Sequence, residues 1–281
     1  MEYKRITIQP ISGSLGAIIG GVNLAEPLDD ELYAEIKQAL LDNLVIFLPD
    51  QNITPEQQIA FGRRFGDLHI HPFIPNLEGY KEIIHLKAAS GANDTLRLAN
   101  EWHPDLSYIP DPPLLGILRG VTIPSRGGDT MWVNLYKAYD TLSDRMKGFI
   151  SDLVAVHDVT KTYRREDLQT EGGAERYWQT FQKAPPTDQP LVQIHPETGR
   201  KLLYISQLTT THIKNLHPKE SDALLNMLFQ HLEWKELQCR FFWQPNSMAI
   251  WDNRCTCHYA VRDYTEAREM YRVTVLGTEL N

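Results

Sequence analysis

Short apolar runs recur along the chain, and Pro, Gly, Asn and Asp separate them. Runs of four to eight residues rich in β-branched and aromatic side chains, bounded in this way, are typical of β-strands. The predicted strands span residues 5–9, 44–48, 82–87, 114–121, 191–195, 202–206, 237–243, 248–251 and 270–276. The sequence His-Pro-Glu-Thr-Gly at residues 195–199 separates two of these strands and predicts a hairpin turn.

Helical periodicity is confined to fewer segments. Apolar residues recur every fourth position from Leu32 to Leu40 and again from Leu224 to Leu232. The sequence Thr-Pro-Glu-Gln at residues 54–57 combines a capping Thr, a Pro at the first helical position and a Gln at the third, which predicts a helix start. Strands that do not alternate regularly with helices favour an antiparallel double sheet over a doubly wound fold. The expected fold class is therefore mainly β with flanking helices.

The chain is expected to form one domain over residues 1–281. Its most polar long stretch, residues 164–190, is the best candidate for an insertion, with a helix predicted around residues 175–182. Long loops in compact domains are often functional lids. We therefore expect a lid or insertion around residues 164–190.

Composition narrows the class of protein. The 281 residues carry 36 acidic and 28 basic side chains, a net charge of −8, and 42% of them are hydrophobic, which is ordinary for a globular protein. An acidic chain argues against nucleic-acid binding, which needs a basic surface. No apolar run approaches the ~18 residues of a membrane span, and no secretory signal is expected at the start. Three cysteines cannot all pair, which favours a reducing compartment, so the expected location is cytoplasmic.

Two separated clusters contain residue types that bind a transition metal. His103 and Asp105 stand two positions apart in an extended segment, where alternate side chains point the same way. The second cluster runs from residue 251 to His258 and follows an apolar strand. Two imidazoles and one carboxylate form the facial triad that holds Fe(II) and leaves coordination positions open. The pattern predicts His103, Asp105 and His258 as metal ligands, although each alone could be an ordinary loop, turn or core residue.

Two arginines spaced by four positions follow the second cluster. Arg268 and Arg272 share one face if the predicted strand begins by residue 268, and an unpaired guanidinium in a strand is expensive. They could pair at the surface with Glu266 and Glu269, which would contribute little. Alternatively, each could grip a carboxylate or sulfonate through two hydrogen bonds.

Four motifs occur in order along the chain: the His-x-Asp pair, the Gly-Gly-Asp-Thr-x-Trp stretch at residues 127–132, the Trp-Asp-Asn-Arg-x3-His stretch at residues 251–258, and the arginine pair. Together they resemble the taurine dioxygenase family of Fe(II)- and 2-oxoglutarate-dependent oxygenases. The resemblance covers nearly the whole chain, including the His-Ile-His-Pro stretch at residues 69–72. It implies a double-stranded β-helix, which is a cupin-like jelly roll, in agreement with the predicted strands.

The resemblance also implies roles for individual residues. His103, Asp105 and His258 would ligate Fe(II), and Thr130 and Arg268 would hold the distal carboxylate of the cosubstrate 2-oxoglutarate. Arg272 matches the arginine that grips the substrate's sulfonate, and His71 matches a substrate-contacting histidine. Three further positions correspond to the substrate pocket of taurine dioxygenase but carry different residues: Ile74 stands where that enzyme has Tyr, Thr209 where it has Phe, and Tyr163 where it has another pocket Phe. A further departure is Ala99, where the family member has Asn.

The implied reaction is oxidation of a small organic anion by O2, with release of succinate and CO2. Taurine or another sulfonate is the first substrate class, and alkyl sulfates, aryloxyalkanoates or other carboxylates are the alternative. The resemblance further implies a homo-oligomer. Two other classes remain open from the residues alone, namely a zinc-dependent hydrolase that uses the same three ligands and a jelly-roll binding protein without chemistry. The cysteines beside His258 could also belong to a zinc site, or they could be small residues at variable positions.

Overall fold

The computed structural model describes residues 3–72, 74–90 and 100–277. Ala99 therefore lies outside the described residues. The strands are β1 (Thr7–Pro10), β2 (Ala17–Gly20), β3 (Val45–Leu48), β4 (Asn76–Leu77), β5 (Tyr80–Ala88), β6 (Leu115–Thr122), β7 (Thr130–Asn134), β8 (Val154–His157), β9 (Thr187–Pro190), β10 (Val192–Ile194), β11 (Lys201–Leu203), β12 (Thr210–Ile213), β13 (Gln238–Phe241), β14 (Met248–Asp252), β15 (Thr256–Ala260) and β16 (Arg268–Val275).

The helices flank these strands, as predicted. They are α1 (Asp30–Asn43), α2 (Pro55–Arg63), α3 (Leu135–Asp140), α4 (Asp144–Ile150), α5 (Arg165–Leu168), α6 (Gly173–Lys183) and α7 (Pro218–Leu232). The capping box expected for α2 is present, because the Thr54 hydroxyl accepts from the backbone N–H of Gln57 and the Gln57 side chain accepts from the N–H of Thr54. Across the described residues, no helix has the length and apolarity needed to span a bilayer.

The largest sheet has the strand order β1-β2-β3-β14-β6-β16-β5-β4 and is antiparallel except between β2 and β3. A second sheet, β13-β7-β15, lies against it. Ring contacts join the two: Trp132 of β7 lies 5.4 Å from Phe47 of β3 and 6.0 Å from Trp251 of β14, measured between ring centroids. This packing of one sheet on another gives the expected jelly roll.

The outer face of the large sheet is covered by α1 and α2. Ile36 of α1 belongs to the same buried apolar cluster as Ile46, Ile117 and Ile250 of the sheet. Neighbouring residues such as Phe47 instead belong to the core between the sheets. Because strands β3 and β14 are buried on both faces, residues 45–48 and 248–251 read as continuous apolar runs, and β6 reads the same way except at Arg119, which is why these strands were predictable.

The predicted 195–199 hairpin turn is confirmed, because it joins the antiparallel strands β10 and β11. The helix expected around residues 175–182 is α6, and residues 187–190 form β9, which pairs with β8. Several strands lack a sequence prediction, among them β7 and β15. Both are five residues long and contain polar residues that are buried, such as Thr130 and His258, so their apolar pattern is interrupted.

Candidate active site

The two histidines of the predicted triad are brought together by backbone pairing. His103 donates its N–H to the carbonyl of His258 at 3.2 Å, and His258 donates back to the carbonyl of His103 at 2.9 Å. Their imidazole centroids lie 4.2 Å apart. The edge of β15 therefore fixes both rings side by side, although the residues are far apart in the sequence.

Asp105 completes this group. Its Oδ1 lies 3.9 Å from Nε2 of His258, and one ligand atom from each of the three residues lies within 4.8 Å of the others. The side chain of Asn253 holds the backbone of Asp105: Oδ1 accepts its N–H at 2.7 Å and Nδ2 donates to its carbonyl at 3.0 Å. Asn253 therefore aligns the carboxylate with the two imidazoles.

The donor set fits a divalent metal. Nδ1 of His103 lies 2.6 Å from the carbonyl of Glu101, and because a carbonyl only accepts, Nδ1 carries the proton and Nε2 is left as a ligand. Burial lowers the pKa of His103 and lowers that of His258 to about 3, so both rings are neutral near pH 7, as metal ligands must be. Oδ2 of Asp105 is buried and has no partner among the described residues.

Asp105 remains ionised although it is buried. Burial raises the pKa of its carboxyl, but Arg272 and the neighbouring imidazoles outweigh burial, so the pKa lies below its usual value. Arg272 donates from Nη1 to Oδ1 of Asp105 at 2.9 Å. The guanidinium expected to anchor the substrate thus also contacts a predicted metal ligand, which the sequence alone did not indicate.

The triad opens into a cavity of about 580 Å³. Every site residue predicted from the sequence lines this one cavity: His71, Ile74, His103, Asp105, Thr130, Tyr163, Thr209, His258, Arg268 and Arg272. The sequence therefore identified residues that the fold brings to a common centre.

Both arginines project into the cavity from β16, which begins at Arg268 as their shared face requires. They do not pair with the acidic neighbours considered above. Glu266 accepts hydrogen bonds from Ser125, and Glu269 contacts Nε2 of His85 at 2.7 Å. Nε of Arg268 is buried without a partner in the described chain. The arginines are thus available to anions inside the cavity rather than to surface carboxylates.

His71 faces Arg272 across the same cavity. The backbone N–H of Ile74 donates to its Nδ1 at 3.0 Å, so the neutral ring carries its proton on Nε2. Burial and then the charge of Arg272 lower the pKa of His71 to about 4. His71 is therefore a neutral N–H donor near pH 7.

The remaining predicted positions form the cavity wall. The hydroxyls of Tyr163 and Thr180, the latter on α6, lie 2.9 Å apart, and the rings of Tyr163 and Tyr177 pack edge to face. The hydroxyl of Thr209 lies 2.7 Å from that of Ser107. Helix α6 is thus attached to the wall through Tyr163.

The cysteines near His258 do not join it. Cys257 donates to the carbonyl of Ile205 at 3.3 Å, and a second group of potential ligands consists of His195, Asp252 and Cys255. In that group Asp252 already accepts from Arg254 at 2.6 Å and contacts His195 at 3.0 Å. The paired guanidinium supplies the positive charge there, so we interpret this cluster as a structural ion-pair network.

The sequence pattern gave no role to Asn253, which holds the backbone of Asp105, to Trp243, which contacts Thr130, or to Thr180, which lines the cavity. Trp243 donates its indole N–H to the hydroxyl of Thr130 at 3.0 Å. A pattern of residue types cannot show which buried hydroxyl a distant indole meets. The available signal was the position of Asn253 within the Trp-Asp-Asn-Arg stretch.

Comparison with known proteins identifies the class to which this fold and cavity correspond. The profile described as "Taurine catabolism dioxygenase TauD, TfdA family" matches residues 7–274. The chain belongs to this family. It is a 2-oxoglutarate-dependent dioxygenase. The two other classes left open by the residues alone, a zinc-dependent hydrolase and a jelly-roll binding protein without chemistry, are therefore rejected.

Individual relatives are similar over nearly their whole length. The chain is 34% identical to an alkylsulfatase of Acinetobacter baylyi, covering 98% of this chain and 86% of the relative. It is 33% identical to an alpha-ketoglutarate-dependent sulfate ester dioxygenase of Pseudomonas putida, covering 97% and 90%. A crystal structure of a taurine dioxygenase from Burkholderia xenovorans superposes with a TM-score of 0.82 at 36% identity, covering 98% and 90%.

Proposed function

We propose that the cavity is the active site of an Fe(II)-dependent enzyme that uses 2-oxoglutarate and O2 to oxidise a sulfate ester or sulfonate with an apolar tail. The observation that carries this proposal is the convergence of a His-Asp-His triad and two arginines on one cavity. The relatives named above act on sulfate esters or taurine according to their names.

His103, Asp105 and His258 would hold Fe(II), because two neutral imidazoles and an ionised carboxylate form the set that this metal takes in oxygenases. Bound Fe(II) and 2-oxoglutarate supply the oxidising chemistry, in which 2-oxoglutarate is converted to succinate and CO2. The protein contributes binding, orientation and exclusion of water. Thr130 and Arg268 would receive the distal carboxylate of 2-oxoglutarate, through the hydroxyl and the guanidinium.

The substrate's anionic group would lie between Arg272 and His71. Arg272 offers donors that Asp105 does not use, since only its Nη1 is bonded to that carboxylate. The proton on Nε2 of His71 supplies a neutral donor of the kind that sulfate oxygens accept. Charge-assisted hydrogen bonds of this kind contribute about 1.5–3 kcal/mol each.

The rest of the substrate would lie against apolar and hydroxyl-bearing residues. Ile74, Leu106, Tyr108 and Val159 are among the residues that line the cavity. Among the described residues, the carboxylates that line it are Asp105 and Asp167.

Asp105 is paired with Arg272 and is a proposed metal ligand, whereas Asp167 accepts one backbone N–H, from Arg164, and keeps a second carboxylate oxygen available. An ammonium group such as that of taurine would therefore find one acidic partner besides the proposed metal ligand among the described cavity residues, namely Asp167 on the short exposed helix α5. An apolar tail fits this wall better, and sulfate esters are favoured over taurine.

Residues 164–190 would act as the lid that the sequence predicts. Helix α6 contributes Arg176 and Thr180 to the cavity lining, and the Tyr163–Thr180 hydrogen bond attaches the helix to the wall. A lid that closes over bound substrate excludes water and positions the reacting carbon.

The test measures succinate release with Fe(II), 2-oxoglutarate, O2 and one of three candidate substrates: a medium-chain alkyl sulfate, the matching alkyl sulfonate and taurine. We expect turnover with the alkyl sulfate or sulfonate and little with taurine. Anaerobic titration with Fe(II) and 2-oxoglutarate should produce the weak visible charge-transfer band of their chelate. Asp105→Ala should abolish both the band and succinate release, and near-normal activity would remove Asp105 from the ligand set.

The two arginines provide matched variants on one strand. Arg272→Ala should raise the KM for substrate more than the Kd for 2-oxoglutarate, and Arg268→Ala should do the reverse. Because Arg272 contacts Asp105, Mn(II) binding is measured for both variants as a control. Equal losses for substrate and 2-oxoglutarate in both variants would contradict the separate assignment of the two anion sites.

A further inference from the structure

The hydroxyl of Thr130, which lines the cavity, has a fixed partner in the buried core behind it. The indole N–H of Trp243 donates to Oγ1 of Thr130 at 3.0 Å. Both side chains are almost fully buried, at 1% exposure for Trp243 and 3% for Thr130. Solvent therefore has little access to the hydrogen bond between the two side chains.

The chemistry of the pair determines the direction of the hydrogen bond. An indole N–H is a donor only, so Oγ1 of Thr130 must be the acceptor. The hydroxyl proton of Thr130 is then free to be donated to a different group. Among the described residues, the structure gives no acceptor for this proton, and Thr130 and Arg268 line the same cavity.

We propose that Trp243 is a positioning residue that makes Thr130 a hydrogen-bond donor toward the distal carboxylate of 2-oxoglutarate. With the indole N–H on one lone pair of Oγ1, a carboxylate that approaches from the cavity meets the hydroxyl proton. Without the indole, the hydroxyl could rotate to other orientations, and part of the binding free energy would be spent on fixing it. This inference rests on the proposed role of Thr130 in binding 2-oxoglutarate.

The experiment replaces the indole N–H while the aromatic ring is retained. Trp243→Phe removes the donor and keeps the edge-to-face contact with Phe241, whose ring centroid lies 5.2 Å away. The readout is the Kd of 2-oxoglutarate, measured anaerobically with Mn(II) by calorimetry. We expect the Kd to rise about three- to tenfold, the range for loss of one neutral hydrogen bond. In steady state, the KM for 2-oxoglutarate should rise while kcat stays near the wild-type value.

A matched control is available in the same core. Trp132 is fully buried, and its Nε1 has no hydrogen-bond partner in the described chain. Trp132→Phe therefore introduces a similar packing defect without removing a hydrogen bond. If the effect of Trp243→Phe is only looser packing, both variants should weaken 2-oxoglutarate binding equally, and that result would overturn the inference.

A double-mutant cycle with Thr130→Val separates this inference from the proposed function. If Trp243 acts through Thr130, Trp243→Phe should have no further effect on the Kd in the Thr130→Val background. Thr130→Val alone should raise the Kd about tenfold or more, because it removes a hydrogen bond to a carboxylate. An unchanged Kd in Thr130→Val would refute the role of Thr130 itself. A raised Kd in Thr130→Val with an unchanged Kd in Trp243→Phe would refute only the role of Trp243.

The cycle can also be completed if Trp243→Phe does not fold. Site-specific incorporation at residue 243 of a tryptophan analogue in which sulfur replaces the indole N–H retains the shape of the side chain. The analogue should raise the Kd by the same factor of about three to ten, because it also removes one neutral hydrogen bond. An unchanged Kd with this analogue would overturn the inference.

Discussion

Asn253 is predicted to control both stability and metal affinity through its contacts with the segment that carries Asp105. Its amide makes three hydrogen bonds: it accepts the N–H of Asp105 at 2.7 Å, and it donates to the carbonyls of Asp105 at 3.0 Å and of Pro113 at 3.2 Å. The side chain is completely buried. Asn253→Ala would leave three buried backbone groups unpaired.

The expected loss follows from these contacts. At about 1 kcal/mol per net hydrogen bond, and more for each group left unsatisfied, Asn253→Ala should lower the free energy of unfolding of the metal-free protein by about 3–5 kcal/mol. Because Asp105 is no longer aligned with His103 and His258, Mn(II) affinity should fall about 10–100-fold, as for other residues that orient metal ligands. Asn253→Asp should be at least as damaging, since it places a carboxylate oxygen against two carbonyls.

Urea unfolding measures the stability, and calorimetry measures Mn(II) binding. Trp234→Phe controls for effects of mutation and purification that are unrelated to the site, because Trp234 is about half exposed and lies outside the cavity lining. A loss of stability below about 1 kcal/mol, together with unchanged Mn(II) affinity, would show that Asn253 does not hold the Asp105 segment. A loss of stability with unchanged Mn(II) affinity would show that the alignment of Asp105 has another source.

Two further predictions concern the cavity wall and the buried histidines. Thr209→Phe should place a larger side chain in the cavity wall and raise the KM for long alkyl sulfates at least about tenfold, while the KM for short alkyl sulfates is unaffected. Thr209→Val keeps the shape of the side chain and should leave the chain-length preference unchanged. An equal response of long and short substrates to Thr209→Phe would contradict the assignment of Thr209 to the wall that contacts the substrate tail. His157 is buried, and burial followed by the charge of Lys161 lowers its pKa to about 3. Because the unfolded chain binds a proton near pH 6.5 and the folded chain only near pH 3, stability falls as the pH drops through this window. The loss of folding free energy between pH 6 and pH 4.5, measured by urea unfolding, should therefore be smaller in His157→Gln than in the wild type by about 1 kcal/mol per pH unit. Identical pH slopes of stability in the two proteins would refute this prediction.

The sequence predicted the strands and the site residues for different physical reasons. Strands such as β3 and β14 were readable because burial on both faces makes their residues uniformly apolar. The triad and the arginine pair were readable because metal and anion chemistry restrict the residue types. Strands β7 and β15 were not readable, since Thr130 and His258 interrupt their apolar pattern.

Contacts between distant segments were beyond the sequence. The Arg272–Asp105 ion pair and the Trp243–Thr130 hydrogen bond each join residues from separate strands or loops, and nothing in their local patterns specifies the partner. The oligomeric state expected from the family resemblance stays a prediction. The lid role of residues 164–190 likewise stays a prediction, although the helix within that segment is confirmed as α6.

The reciprocal backbone bonds between His103 and His258 have a consequence for how the proposed metal centre would take up its ion. Because the main chain already holds both rings adjacent, capture of a cation requires little ordering of the polypeptide. The binding free energy of the proposed centre would then offset mainly the loss of the ion's hydration shell rather than the ordering of the protein. Loading and removal of the ion would accordingly be separate from folding, in contrast to small zinc domains that collapse only around their metal.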